Sequence, residues 1–100
     1  MTEKEIASLT GFNWDKGNHE KNWTKHKVTR SEIEEVFFNK PVLILDDDKH
    51  SKTEHRWKLL GKTIQQRFLL IIFTVRNNQI RPISARPMSR RERQFYEETA

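Results

Sequence analysis

The chain has no cysteine, and this removes disulfides, thiolate metal sites and cysteine nucleophiles from consideration. It is also short of glycine and proline, with three of each, and the glycines stand singly at 11, 17 and 61, so no glycine-rich phosphate loop exists. No long apolar run is present: the longest, Phe68 to Phe73, falls far short of the ~20 residues that span a bilayer. The first residues carry acids and lead into no apolar stretch of the ~7 to 15 residues found in a secretory signal, which gives the expectation of a cytoplasmic protein without membrane association. No HExxH or clustered His/Asp spacing appears among the four histidines, so neither a metal nor another cofactor is expected. Repeats, low-complexity tracts and linkers are missing as well, so the 100 residues read as one domain, 12–100, after an N-terminal leader over 1–11.

What the chain has in quantity is charge, and the charge is unevenly placed. Residues 1–51 hold 8 Lys+Arg against 10 Asp+Glu, whereas 52–100 hold 11 against 4, and eight of those eleven are arginine. A basic half attracts polyanions. Guanidinium adds planar, bidentate donors for phosphate and a face that stacks on bases.

The hydrophobic pattern predicts an α+β fold. Phe12-Asn-Trp-Asp15 is a short strand candidate, and Lys16 to Lys27 places His19, Trp23 and His26 on one helical face. Thr29-Arg-Ser-Glu32 is a capping box opening a second helix with Ile33, Val36 and Phe37 as its stripe, ended before Pro41. Val42 to Leu45 is a strand and Asp46 to Ser51 a polar turn. From Glu54 to Leu60 the residues alternate, with Glu54, Arg56 and Lys58 on one face and His55, Trp57 and Leu59 on the other. Ile64 to Val75 is a central strand covered on at least one side by helix, and Asn77-Asn78 turns the chain into Ile80 to Ala85. Ser89-Arg-Arg-Glu92 is a second capping box, opening a C-terminal helix that docks through Phe95 and Tyr96. The expected architecture is a small antiparallel sheet of four to five strands with two N-terminal helices and a C-terminal helix.

On such a meander Arg56, Arg67, Arg76, Arg81 and Arg86 come from adjacent strands or strand ends. RNA cleavage through the 2′-hydroxyl needs a base, an acid, and cations around the phosphorane; arginines supply the cations, and His50, Glu54, His55 and His26 are the available proton carriers. The competing reading is a solvated surface in which these arginines pair with Asp46 to Asp48 and Glu54. Trp14, Trp23 and Trp57 are assigned to core packing ahead of base stacking.

The stretches Phe12-Asn-Trp-Asp15, Asn22 with Lys25-His26 and Val28, Glu34-Glu-Val-Phe37 with Pro41, Asp47 with His50-Ser51, Glu54 with Arg56, Gly61, Phe73-Thr-Val-Arg76, Ile80 to Arg86 and Arg90 to Glu97 together resemble the BrnT family of bacterial type II toxins. The resemblance covers roughly residues 12 to 98, and its most specific part is Ile-Ser-Ala-Arg followed closely by Arg-Glu-Arg and Tyr. It implies a RelE-like fold, a ribonuclease that arrests translation, and a hetero-oligomer with a BrnA-type antitoxin that alone contacts operator DNA. Carried over by position, it implies His50, Glu54, Arg56, Arg76 and Arg81 for catalysis and Lys25, His26 and Arg86 for RNA binding, to which Arg67 is added from the arginines of the meander. Arg86 also suits an anchor between the last strand and the C-terminal helix, and Pro82 calls for an edge or bulged strand there. The alternative functions are a non-catalytic nucleic-acid-binding module and a protein-interaction domain.

Overall fold

Four strands among the described residues, consecutive in the chain, form one antiparallel sheet of order β1-β2-β3-β4. The computed structural model describes residues 1–18, 26–50 and 53–100, with His50 described by its backbone alone. The helix expected over Lys16 to Lys27 falls for the most part outside the described residues, and Lys16 to Asn18 form a turn. The strands are β1 (Leu43–Asp46), β2 (Trp57–Lys62), β3 (Phe68–Arg76) and β4 (Gln79–Pro87). Helix α1 (Glu3–Ala7) lies in the segment read as a leader, α2 (Arg30–Phe38) precedes the sheet, and α3 (Arg90–Thr99) follows it. The chain is therefore α+β, as the patterning indicated.

The helices α1, α2 and α3 each begin on a reciprocal capping box: Thr2 with Glu5, Thr29 with Glu32, and Ser89 with Glu92. The α2 stripe is buried as expected, with Ile33, Val36 and Phe37 at 3% exposure or less. In α3 only one of the two expected docking residues turns inward. Tyr96 is buried, whereas Phe95 is 44% exposed, because consecutive helical residues point roughly 100° apart and cannot both face the sheet.

The β3 run is apolar on both faces since both are covered. Leu59, Leu69, Ile71, Phe73 and Ile80 pack against α2, Val28 and Ile6 of α1, while Leu60, Leu70 and Ile72 pack against Tyr96 of α3. Gly61 sits on β2 where a Cβ would stand 2.8 Å from Val36 Cγ1, so the close approach of α2 requires glycine there. The expected start of β3 at Ile64 is corrected. A turn closed by Gln66 N–H donating to Thr63 O (2.9 Å), with Gln66 at φ 68°, leaves Ile64 70% exposed and delays the strand to Phe68.

The hairpin is as read: Asn77 and Asn78 take φ 52° and 61°, and Arg76 pairs with Gln79 across them. Pro82 sits on the sheet's last strand beside a bulge, since Ile72 pairs with Ser84 and Phe73 with Pro82. The expected first strand shrinks to one parallel bridge, Phe12 to Ile80, held by Ile80 N–H to Gly11 O (2.9 Å) and Asn13 N–H to Ile80 O (2.7 Å). It ends so soon because the chain turns at Asp15, where Asn18 N–H returns to Asp15 O (3.3 Å).

Glu92 ties α3 to β4. Both Arg86 Nη atoms donate to its carboxylate at 2.8 Å, and with the Ser89 N–H they hold its pKa at about 2 against the opposing effect of burial. A carboxylate lowered on folding stabilises above its unfolded value of 4.5, and that contribution is lost as pH falls from there towards about 2. Because the pair is partly open to solvent, about 1–2 kcal/mol is at stake after screening. Glu92→Gln, which keeps the capping oxygen and removes the charge, is expected to lower stability by this amount at neutral pH. Urea midpoints measured down to pH 2 should show a shallower acid decline for the variant; equal declines would remove Glu92 from the acid response.

Candidate functional site

Alternation along β2 and its lead-in puts Glu54, Arg56 and Lys58 on the α3 side of the sheet, and register brings Thr74 and Arg76 of β3 and Arg81 of β4 beside them, Thr74 being paired with Arg81. The helix α3 covers this face over Leu60, Leu70 and Ile72, with Phe68 also under Tyr96 and Arg93. The polar group lies beyond it, towards the Asn77-Asn78 turn.

Two carboxylates organise the cations. Arg76 donates through Nε and Nη2 to Glu54 at 3.1 and 2.8 Å, and Arg56 Nη2 lies 3.7 Å from the same carboxylate. Arg81 donates to Asp15 Oδ2 and Oδ1 at 2.9 and 3.1 Å and to Asn13 Oδ1 at 2.7 Å. Its side chain is 11% exposed, against 46% for Arg76. The Arg76 fork lowers the Glu54 pKa, against partial desolvation and with help from Arg56 and Arg81. Asp15 is lowered by Arg81 first and by the Gly17 N–H next, and Arg76 is raised by Glu54. Three guanidinium groups against two ionised carboxylates leave the cluster with a net positive charge, disposed around one end of a sheet.

Other candidate residues stand elsewhere. Lys25 lies outside the described residues, as does the His50 side chain; the His50 backbone closes a short 3-10 turn, Asp48–His50. Arg67 precedes β3 while Arg76 ends it, a separation of roughly 30 Å at about 3.3 Å per residue. Its guanidinium donates to Glu32 at 3.1 Å, to Lys27 O at 2.8 Å and to His26 O at 3.0 Å, joining the N-terminus of α2 to the sheet. Arg86 makes the anchor to α3 described above. Of the acids expected to neutralise arginines, Glu54 does so, whereas Asp46 Oδ1 accepts from His55 Nε2 at 2.7 Å.

Asp15 and Asn13 received no role from sequence reasoning, although both stand in the Phe12-to-Asp15 motif. They reach Arg81 across more than sixty residues of chain, a contact that no local periodicity reveals. Trp14 and Trp57 pack half-buried against the core, as assigned, and Trp14 Nε1–H donates to Glu34 at 2.8 Å; Trp23 lies outside the described residues.

The fold and the cluster define a small α+β domain with a net positive group of arginines at one end of its sheet. The chain belongs to the BrnT family: the family model for the ribonuclease toxin, BrnT, of type II toxin-antitoxin systems matches residues 14–92. No individual curated protein matches it. Family membership makes the chain a ribonuclease toxin whose counterpart is an antitoxin. No helix among the described residues is long and apolar enough to cross a membrane.

Proposed function

We propose that the chain is a metal-independent endoribonuclease that cleaves RNA through the 2′-hydroxyl, thereby arresting translation, and is neutralised in the cytoplasm by a BrnA-type antitoxin that covers the arginine cluster and carries the operator-DNA contacts. The observation that carries this reading is the gathering of Arg56, Arg76 and Arg81 around Glu54. The RelE-like fold implied by the resemblance is compatible with the four-stranded antiparallel sheet.

In this reading Arg56, Arg76 and Arg81 hold the scissile phosphate and the charge that develops on it. Glu54 takes the 2′-hydroxyl proton, the 2′-oxygen bonds to phosphorus, the bond to the 5′-oxygen breaks, and His50 protonates that leaving oxygen. Glu54 is too well ionised in the free protein to be a strong base, because Arg76 holds it. A bound phosphate competes for the Arg76 fork and adds negative charge beside Glu54, and both effects raise its proton affinity in the complex. Lys25 and His26 extend the RNA contact, while Arg67 and Arg86, whose forks are occupied by Glu32 and Glu92, support binding through the scaffold.

The test is induction of the chain alone in a bacterial host, beside an Arg81→Ala, Glu54→Gln double variant shown to be expressed and folded. Growth arrest with RNA decay for the original and neither for the variant supports the reading. Purified, folded protein that leaves RNA intact would sink it. A second reading, a non-catalytic RNA-binding module, draws on the tight Glu54–Arg76 pair; it requires salt-sensitive RNA binding that survives Glu54→Gln without any cleavage.

A further inference from the structure

The carbonyls of both chain neighbours of Arg81 are held by one short segment, residues 13–18. Asn13 N–H donates to Ile80 O at 2.7 Å and the Asn18 side-chain amide donates to Pro82 O at 2.9 Å. The segment is thereby fastened to the edge of β4, the sheet's last strand, on either side of Arg81. Between the two fastenings its side chains meet the guanidinium, where Asn13 Oδ1 and both Asp15 oxygens accept from Arg81. Gly17 belongs to the same fit: a Cβ there would stand 3.1 Å from Asp15 Oδ1 and 3.4 Å from Arg81 Nη2, so a side chain at 17 would press on both members of the ion pair.

Asn18 holds the segment in this shape. The residue is 2% exposed, its amide donates a second time to Asn13 O at 3.0 Å, and its Oδ1 accepts from Asp15 N–H at 2.8 Å. These bonds reach the backbones of Asn13, Asp15 and Pro82, so one buried side chain sets both the turn and its seat on β4. The carboxylate that the turn presents acts on Arg81 in two opposite ways. A negative charge beside a phosphate-binding guanidinium weakens its attraction for a polyanion. The same carboxylate, with Asn13, removes rotamer freedom from the fork and leaves it one orientation. The bonds to Asp15 and Asn13 use three of the five guanidinium N–H groups, which leaves Nη2 a second hydrogen for a phosphate oxygen.

We propose that residues 13–18 form a clamp that orients Arg81 for the transition state of cleavage, with Asp15 as the positioning residue on the guanidinium and Asn18 as the one that seats the clamp on β4. The inference rests on the ribonuclease reading and extends it to residues that act through Arg81. It separates binding from chemistry: the Asp15 charge opposes RNA association, while the orientation it imposes serves the step in which charge builds on the phosphorane.

Two readouts test it on the full chain: single-turnover cleavage of a short RNA at saturating protein, and fluorescence-anisotropy binding of the same RNA 2′-O-methylated throughout so that it cannot be cleaved. Wild type, Asp15→Ala, Arg81→Ala and the double variant are compared at equal folded fraction. Asp15→Ala is expected to slow cleavage by about 10- to 100-fold, the scale of a misplacement of about 1 Å at a reacting centre, while binding stays equal or tightens. In the Arg81→Ala background the same substitution should change the rate by less than about 2-fold, since no guanidinium is left to orient. Asn18→Ala should show the same slowing and the same dependence on Arg81; if it does not fold, Asp15, with a side chain 56% exposed, decides the matter. The clamp is overturned if Asp15→Ala cleaves within about 2-fold of wild type, if its loss multiplies in full with that of Arg81→Ala, or if binding weakens by the same factor as the rate. A folded Asn18→Ala that cleaves as wild type does removes Asn18 from it. Each of these outcomes leaves wild-type cleavage in place, whereas wild-type protein that leaves RNA intact overturns the ribonuclease reading as well.

Discussion

Arg81→Ala is expected to lower the rate of RNA cleavage by about 10²- to 10³-fold, the usual loss when one preorganised donor to a developing oxyanion is removed. Arg81 is the most enclosed of the three clustered guanidiniums, and Asp15 and Asn13 fix its orientation before substrate arrives. Little reorganisation is then needed at the moment of reaction, which is where preorganised charge gains its advantage over solvent. The variant also leaves Asp15 without its cation, so rates must be compared at equal folded fraction. Arg81→Lys separates charge from geometry: lysine keeps the positive charge and lacks the fork, and should recover only part of the loss. Cleavage by Arg81→Ala at the wild-type rate would remove this residue from the chemistry.

Arg76→Ala should behave differently, because Arg76 both binds phosphate and depresses the Glu54 pKa. Its removal costs a cation and returns Glu54 towards the ordinary carboxylate range. If Glu54 is the base, activity requires its ionised form, so the acid limb of the pH–rate profile moves to higher pH in the variant. An unmoved limb would assign the base to another group.

Sheet, capping boxes and hairpin were legible because each is a local pattern: period two in β2, a Ser or Thr three residues before Glu at the helix starts, and two asparagines able to take positive φ. The same alternation placed Glu54 and Arg56 on one face, which supplies half of the candidate site. The arginines were harder to divide, since Arg67, Arg76, Arg81 and Arg86 look alike in sequence. Their separation depends on which carboxylate each fork meets: Glu32, Glu54, Asp15 and Glu92, respectively. Three of those four pairs span more than twenty residues of chain; only Arg86 and Glu92 are close in sequence, where the reading pointed to an anchor on the C-terminal helix without naming the acid, and Glu54 was named as an acid without its particular arginine. Ile64 was misassigned for a related reason. An apolar residue beside an apolar run reads as strand until a turn with positive φ at Gln66 interrupts it.

Phe73→Ala is expected to destabilise the fold by about 3–5 kcal/mol, the range for removing a large aromatic ring from a core that relaxes only in part. Phe73 has no exposed surface, meets Phe37 of α2 edge-on at 5.0 Å and 79°, and lies under Trp57. It therefore links the helical layer to the ring stack that ends at His55. With typical domain stability of about 5–15 kcal/mol, such a loss brings a chain of this size close to its unfolding threshold at ordinary temperature. Urea unfolding of the variant should show the loss as a lower midpoint at nearly unchanged slope. Phe73→Leu, which refills much of the volume, should cost markedly less in stability. An unfolding free energy for Phe73→Ala within about 1 kcal/mol of wild type would show that the two layers are joined elsewhere.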